Sequence, residues 1–173
     1  MVSCNANSVL GVVMIRTALT LLLAAASAAI LPAQVADPED GVGMGHLHLR
    51  VSEADYPAHR RMLVDGLGLQ PTAFGRGEAF LGPGVAVLIQ QGEVQGPSVG
   101  TAVNHIGFAV KDLAAAEAQW KAAGGVMLPD KPSPTQSYVE LPGGTKVELI
   151  ENKALDVPIA NHHIHFLDRK SVV

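Results

Sequence analysis

Apolar and polar residues alternate along His46-Leu47-His48-Leu49-Arg50-Val51. A two-residue period predicts a half-buried strand, with Leu47, Leu49 and Val51 on one face and His46, His48 and Arg50 on the other. From Asp55 to Leu67 the spacing becomes helical. Pro57 sits early in that stretch, where a missing N–H is tolerated, and Gly66 and Gly68 stop it. Ala79–Leu81 and Val85–Gln90 then read as strands joined by a Pro83-Gly84 turn. The order returns further on. His105–Val110 is strand-like, and Leu113–Ala123 is helical and closed by Gly124-Gly125. Ser137–Leu141 and Lys146–Glu151 flank a Pro142-Gly143-Gly144 turn.

The two stretches are copies of one unit. His46-Leu-His48-Leu-Arg-Val51 matches His105-Ile-Gly-Phe-Ala-Val110 at a shift of 59, and His163-Ile-His165-Phe166 begins the pattern again 58 residues later. The unit is a strand and a helix followed by further strands, used twice and begun a third time. In the second copy Ile106, Phe108 and Val110 form the apolar face, and His105, Gly107 and Ala109 the other. In the closing strand Val147 and Leu149 alternate with Lys146, Glu148 and Ile150. The apolar faces are expected to pack on helix stripes that include Leu63, Leu67, Leu113 and Trp120. The opposite faces then converge, gathering His46, His105 and Glu148. Two neutral imidazoles and one carboxylate form a ligand set that holds one side of a divalent metal and leaves up to three positions open.

Composition narrows the function classes. Lys+Arg number 12 against 16 Asp+Glu among 173 residues, a net charge of −4 with no basic stripe, which excludes nucleic acid as the expected partner. A single cysteine, Cys4, excludes a disulfide scaffold and a cysteine-zinc site. The high apolar content, 48%, is concentrated near the N-terminus. Thr17–Ala36 is an Ala- and Leu-rich run preceded by Arg16, the pattern of a secretory leader over residues 1–36, with Met14 as an alternative start. The run is too short and too Ala-rich for a membrane span. The expectation is an exported protein, periplasmic or extracellular, without stable membrane association after leader cleavage. At the other end, 158–167 reads as the first strand of a truncated third module. Asp168–Val173 reads as a non-native tail of the kind a sequencing adapter encodes when read through.

Three segments together resemble the vicinal-oxygen-chelate superfamily, which includes glyoxalase I, extradiol dioxygenases, fosfomycin-resistance transferases, methylmalonyl-CoA epimerase and bleomycin-binding proteins. They are Gly45-His46-Leu47-His48-Leu49, Val103-Asn104-His105-Ile106-Gly107-Phe108 and Gly144-Thr145-Lys146-Val147-Glu148-Leu149-Ile150-Glu151. The resemblance covers about 44–153. It implies an α+β fold of paired βαβββ modules, 44–92 and 101–153, forming an open cup-shaped mixed sheet with helices on the outer face. It also implies His46, His105 and Glu148 as metal ligands. Val87 stands where a fourth ligand would sit in glyoxalase I and the epimerase, so this chain is expected to supply three.

The implied function is a metal-dependent enzyme, dioxygenase-like or lyase/isomerase-like, acting on a small molecule that chelates the metal through two neighbouring oxygens. Fe(II) or Mn(II) is the favoured ion, with Zn(II) and Ni(II) as further choices. His48, on the face of His46, is a candidate for proton transfer or a structural partner. Tyr138 is a candidate hydrogen-bond donor to a bound oxyanion or a packed strand residue. The alternative is a non-catalytic small-ligand-binding protein of the bleomycin-resistance kind; a third reading keeps the metal for stability alone. A homodimer is expected. His59, beside Arg60 and Arg61, reads as solvated, and His162, His163 and His165 receive no role.

Overall fold

The computed structural model describes residues 45–75 and 77–167; the expected leader and C-terminal tail lie outside these residues. The first unit runs β1 (Leu47–Val51), α1 (Tyr56–Arg61), β2 (Gln70–Phe74), β3 (Gly77–Gly82) and β4 (Val85–Gln91). The second runs β5 (Val103–Val110), α2 (Leu113–Ala122), β6 (Val126–Met127), β7 (Gln136–Leu141) and β8 (Thr145–Glu151), and the last strand is β9 (Ile159–Phe166). One sheet has the order β1-β4-β3-β2 and the other β6-β7-β8-β5-β9. Within each unit the first strand pairs in parallel with the last, and the remaining pairs are antiparallel. This is the α+β arrangement of paired βαβββ modules.

Alternation explains which faces are buried. Leu47 and Val51 of β1 are buried and His48 and Arg50 exposed, as the period of two requires. Leu63, Leu67, Leu113 and Trp120 of the helical segments all join the core, with Phe80, Val87, Phe108, Val139, Val147 and Leu149. Helix α1 continues as a π-helical turn, Met62–Gly66, which brings Met62 and Leu63 to the core before Gly68, at φ +73°, ends the segment. Helix α2 starts at Asp112, whose carboxylate accepts the Ala115 N–H at 2.9 Å. Trp120 is fully buried yet satisfied, because its indole N–H donates to the Val126 carbonyl at 3.1 Å. Gly125 permits that contact, since a Cβ there would stand 2.2 Å from the indole nitrogen.

The units interlock. The Gln119 side chain donates to the Asp65 carbonyl at 2.9 Å, and the Ser98 hydroxyl, in the linker, accepts the Lys146 N–H at 2.9 Å and donates to the Asn104 carbonyl at 2.8 Å. No helix among the described residues is long and apolar enough to cross a membrane.

Two features depart from the sequence expectation. Strand β2 carries no hydrophobic alternation, because it lies at a sheet edge with four of its five residues exposed; Pro71 is tolerated there. His59 is buried rather than solvated. It is 3% exposed and donates from Nδ1 to the Asp55 carbonyl at 3.1 Å, and burial pushes its pKa below the usual histidine value. Strand β9, the third occurrence of the repeated strand, lies antiparallel along the free edge of β5.

Candidate metal centre

Strand register builds the site. Tyr138 of β7 stands opposite Glu148 of β8, Glu148 opposite Gly107 of β5, and Gly107 opposite His163 of β9. Four adjacent strands thus contribute one row. One pleat away, His105 of β5 stands opposite His165 of β9. Within the row Gly107 supplies a gap in place of a side chain. A Cβ at that position would lie 2.3 Å from His163 Cε1, so the imidazole occupies the space this glycine leaves. Two β-bulges bracket the segment. Asn104 is the extra residue on β5 and His162 the extra residue on β9, and bulges of this kind re-aim side chains.

Three donor atoms meet in a near-equilateral triangle. His105 Nε2 lies 3.1 Å from Glu148 Oε2, His163 Nε2 lies 3.2 Å from the same oxygen, and the two imidazole nitrogens are 3.2 Å apart. The other ends of these groups have partners. His105 Nδ1–H donates to Asn104 Oδ1 at 2.8 Å, which leaves Nε2 as the lone-pair nitrogen. The Gln136 amide N–H donates to Glu148 Oε1 at 3.0 Å, holding the carboxylate plane. His163 Nδ1 is 2.7 Å from His162 Nδ1. His105 and Glu148 are 4% and 5% exposed. Burial lowers the pKa of His105 and outweighs the pull of Glu148 toward protonation. Burial lowers that of His163 as well, so both rings are held toward their neutral form. The triangle is therefore short of a positive charge. Donors bound to one divalent ion at about 2.1 Å on a near-octahedral face are spaced about 3 Å apart, so the residues present fit such an ion. His165 adds a further nitrogen, and the ligand atoms of His105, His163 and His165 all lie within 4.8 Å of one another.

Tyr138 borders this group. Its ring makes an edge contact with His105 at 5.6 Å between centroids, and the Lys146 ammonium sits 3.5 Å above it. Burial, and next the Glu148 carboxylate, raise its pKa, so the phenol keeps its proton at neutral pH.

Of the residues singled out in the sequence, His105, Glu148 and Tyr138 are brought together. His46 and His48 are not. Within this chain their rings pack on each other at 4.7 Å, exposed, at the start of an edge strand that among the described residues pairs only with β4. The third corner of the triangle is His163, because β9 takes the edge of β5. His48 lines a different cavity, of about 650 Å³, together with Arg50, Tyr56 and Glu78. His163, His165, Asn104, Gln136 and Gly107 carry no functional role in the sequence expectation. A signal for His163 was present, since it is the third occurrence of the repeated His-containing strand start.

No family model matches the chain, and no curated protein matches it. Solved structures do. The fosfomycin resistance protein FosX from Mesorhizobium loti superposes with a TM-score of 0.53 at 23% identity, over 65% of this chain and 93% of that one. FosX from Listeria monocytogenes, in its hexagonal form, gives a TM-score of 0.53 at 21% identity, over 65% and 95% of the two chains. A mutant of the Listeria protein complexed with Mn(II) and 1S,2S-dihydroxypropylphosphonic acid gives 0.52 at 21% identity, over 65% and 91%. At these identities the similarity is one of fold.

Proposed function

We propose that this chain, which carries the vicinal-oxygen-chelate fold, is a divalent-metal-dependent enzyme. Its substrate is a small molecule that chelates the metal through two neighbouring oxygens. The observation that carries the reading is the buried triangle of His105 Nε2, His163 Nε2 and Glu148 Oε2 at 3.1–3.2 Å, with the other ends of all three groups partnered elsewhere. These three residues would hold the ion. When bound, the ion supplies Lewis acidity to the anion that develops on the substrate oxygens. Support for Mn(II), with Fe(II) beside it and Zn(II) or Ni(II) as further choices, comes from the donor set and from the Mn(II) and vicinal diol in the Listeria FosX complex.

The protein residues have distinct tasks. Asn104 keeps His105 in the tautomer whose Nε2 faces Glu148, and Gln136 fixes the carboxylate. Tyr138 holds a proton on its phenol beside the triangle and donates it as a hydrogen bond to a substrate oxyanion. The reading includes export, resting on the leader-like composition of residues 17–36.

Titration of the purified, metal-stripped protein with Mn(II) by calorimetry tests this function. One ion per chain is expected, and both His105→Ala and Glu148→Ala should abolish binding while far-UV circular dichroism stays unchanged. A protein that takes up none of Mn(II), Fe(II), Zn(II) or Ni(II) would overturn it, as would full occupancy in either variant.

A further inference from the structure

We propose that His165 is a fourth protein ligand of the same ion, giving a three-histidine, one-carboxylate set that leaves room for a two-oxygen substrate and nothing more. The proposal rests on the metal reading above and deepens it.

Strand geometry places His165 where a ligand is needed. It stands two residues from His163, so both rings leave β9 on the same face, the one turned to Glu148 and His105. It is directly opposite His105, and the two rings stack at 4.5 Å between centroids with 24° between planes. A fourth ligand of that ion, with donors at about 2.1 Å, stands about 3 Å from the ring it stacks beside and about 4.2 Å from the donor opposite it. The three imidazole nitrogens span at most 4.8 Å, so rotation of the His165 side chain closes the difference. His165 is exposed, so that rotation disturbs no packed core. Its ring nitrogens have no hydrogen-bond partner among the described residues, whereas His105 and His163 each use Nδ1 on a neighbour. The two bulges hold in place the short stretch that presents His163 and His165 together.

The count has a chemical consequence. Val87, at the position where a fourth ligand from the first unit would stand, is fully buried in the apolar core and offers no donor atom. With His165 the total is four regardless. A six-coordinate divalent ion keeps two positions, which the neighbouring oxygens of a chelating substrate fill. No position then remains for dioxygen beside the bound substrate. Of the reaction classes open to this site, isomerisation, elimination and addition are retained, and ring-cleaving oxygenation is not.

The test uses the full chain loaded anaerobically with Fe(II). Oxalate serves as the two-oxygen probe and nitric oxide as the reporter of a further open position. Electron paramagnetic resonance of the wild type should show the high-spin iron–nitrosyl signal without oxalate and lose it when oxalate saturates the site. His165→Ala should keep that signal with oxalate present. Its Mn(II) affinity should also fall by more than the roughly 10-fold that loss of an outer supporting partner costs. A wild-type signal that survives oxalate, or an unchanged Mn(II) affinity in His165→Ala, overturns the fourth ligand while leaving the three-ligand reading intact. A wild type that binds no metal overturns both.

Discussion

Adding one methyl group at Gly107 should remove His163 from the proposed metal centre without touching any donor atom. A Cβ at this position would lie 2.3 Å from Cε1, 2.4 Å from Nδ1 and 3.0 Å from Nε2 of the His163 ring. Non-bonded carbon atoms settle at about 3.5–4.0 Å, so in Gly107→Ala the ring must retreat by more than about 1 Å. Metal–ligand distances tolerate about 0.2 Å. The retreat therefore costs the ligand, and Mn(II) affinity should drop at least about 10-fold. Overpacking should also destabilise the metal-free protein by about 1–3 kcal/mol, because the ring or the strand carrying it must leave its place. Calorimetric Mn(II) titration and chemical denaturation in EDTA read the two effects. A double-mutant cycle separates them. In a His163→Ala background the clash no longer exists, so Gly107→Ala should then cost under about 0.5 kcal/mol. Gly107→Ala with wild-type Mn(II) affinity, or an equal stability cost in both backgrounds, would refute the reasoning.

Further outcomes follow from the same geometry. His46→Ala should leave Mn(II) affinity within about two-fold of wild type, whereas His163→Ala should abolish measurable binding in the same calorimetric assay. Asn104→Ala and Gln136→Leu should each weaken Mn(II) by about 10–100-fold with an unchanged circular dichroism spectrum, because each partner only orients a ligand. The pKa of buried His59 lies below its ordinary value of 6.5, so below that pH the unfolded chain binds more protons than the folded one. The stability His59 contributes should be complete above pH 6.5 and lost as the pH falls through its lowered value. Melting temperatures in EDTA from about pH 5 to about pH 8 should show this slope, and His59→Gln should flatten it.

Much of this molecule is legible in short sequence windows. Leu47, Leu49 and Val51 alternate with polar residues, so their strand and its buried face follow from the two-residue period. Helix α2 is announced by its closing glycines, and its buried Leu113 and Trp120 by their spacing. Strand β2 escaped notice because an exposed edge imposes no hydrophobic pattern. His59 escaped because its burial is made by the fold around α1 and not by its neighbours Arg60 and Arg61.

The proposed metal centre divides along the same line. The repeat marked His105 and Glu148, since each sits on a strand whose face is set by its own alternation, and the parallel pairing of β5 with β8 brings them within 3.1 Å. The third donor is a different kind of fact. His46 and His163 occupy equivalent positions in the repeated sequence pattern, and nothing local distinguishes them. Which one reaches Glu148 depends on which strand takes the edge of β5, a pairing between residues 49 to 63 positions apart in the chain. Backbone period is a property of a few consecutive residues and is written in the sequence itself. Edge pairing, and the gap at Gly107 that admits one particular ring, come into being only when distant strands are laid side by side.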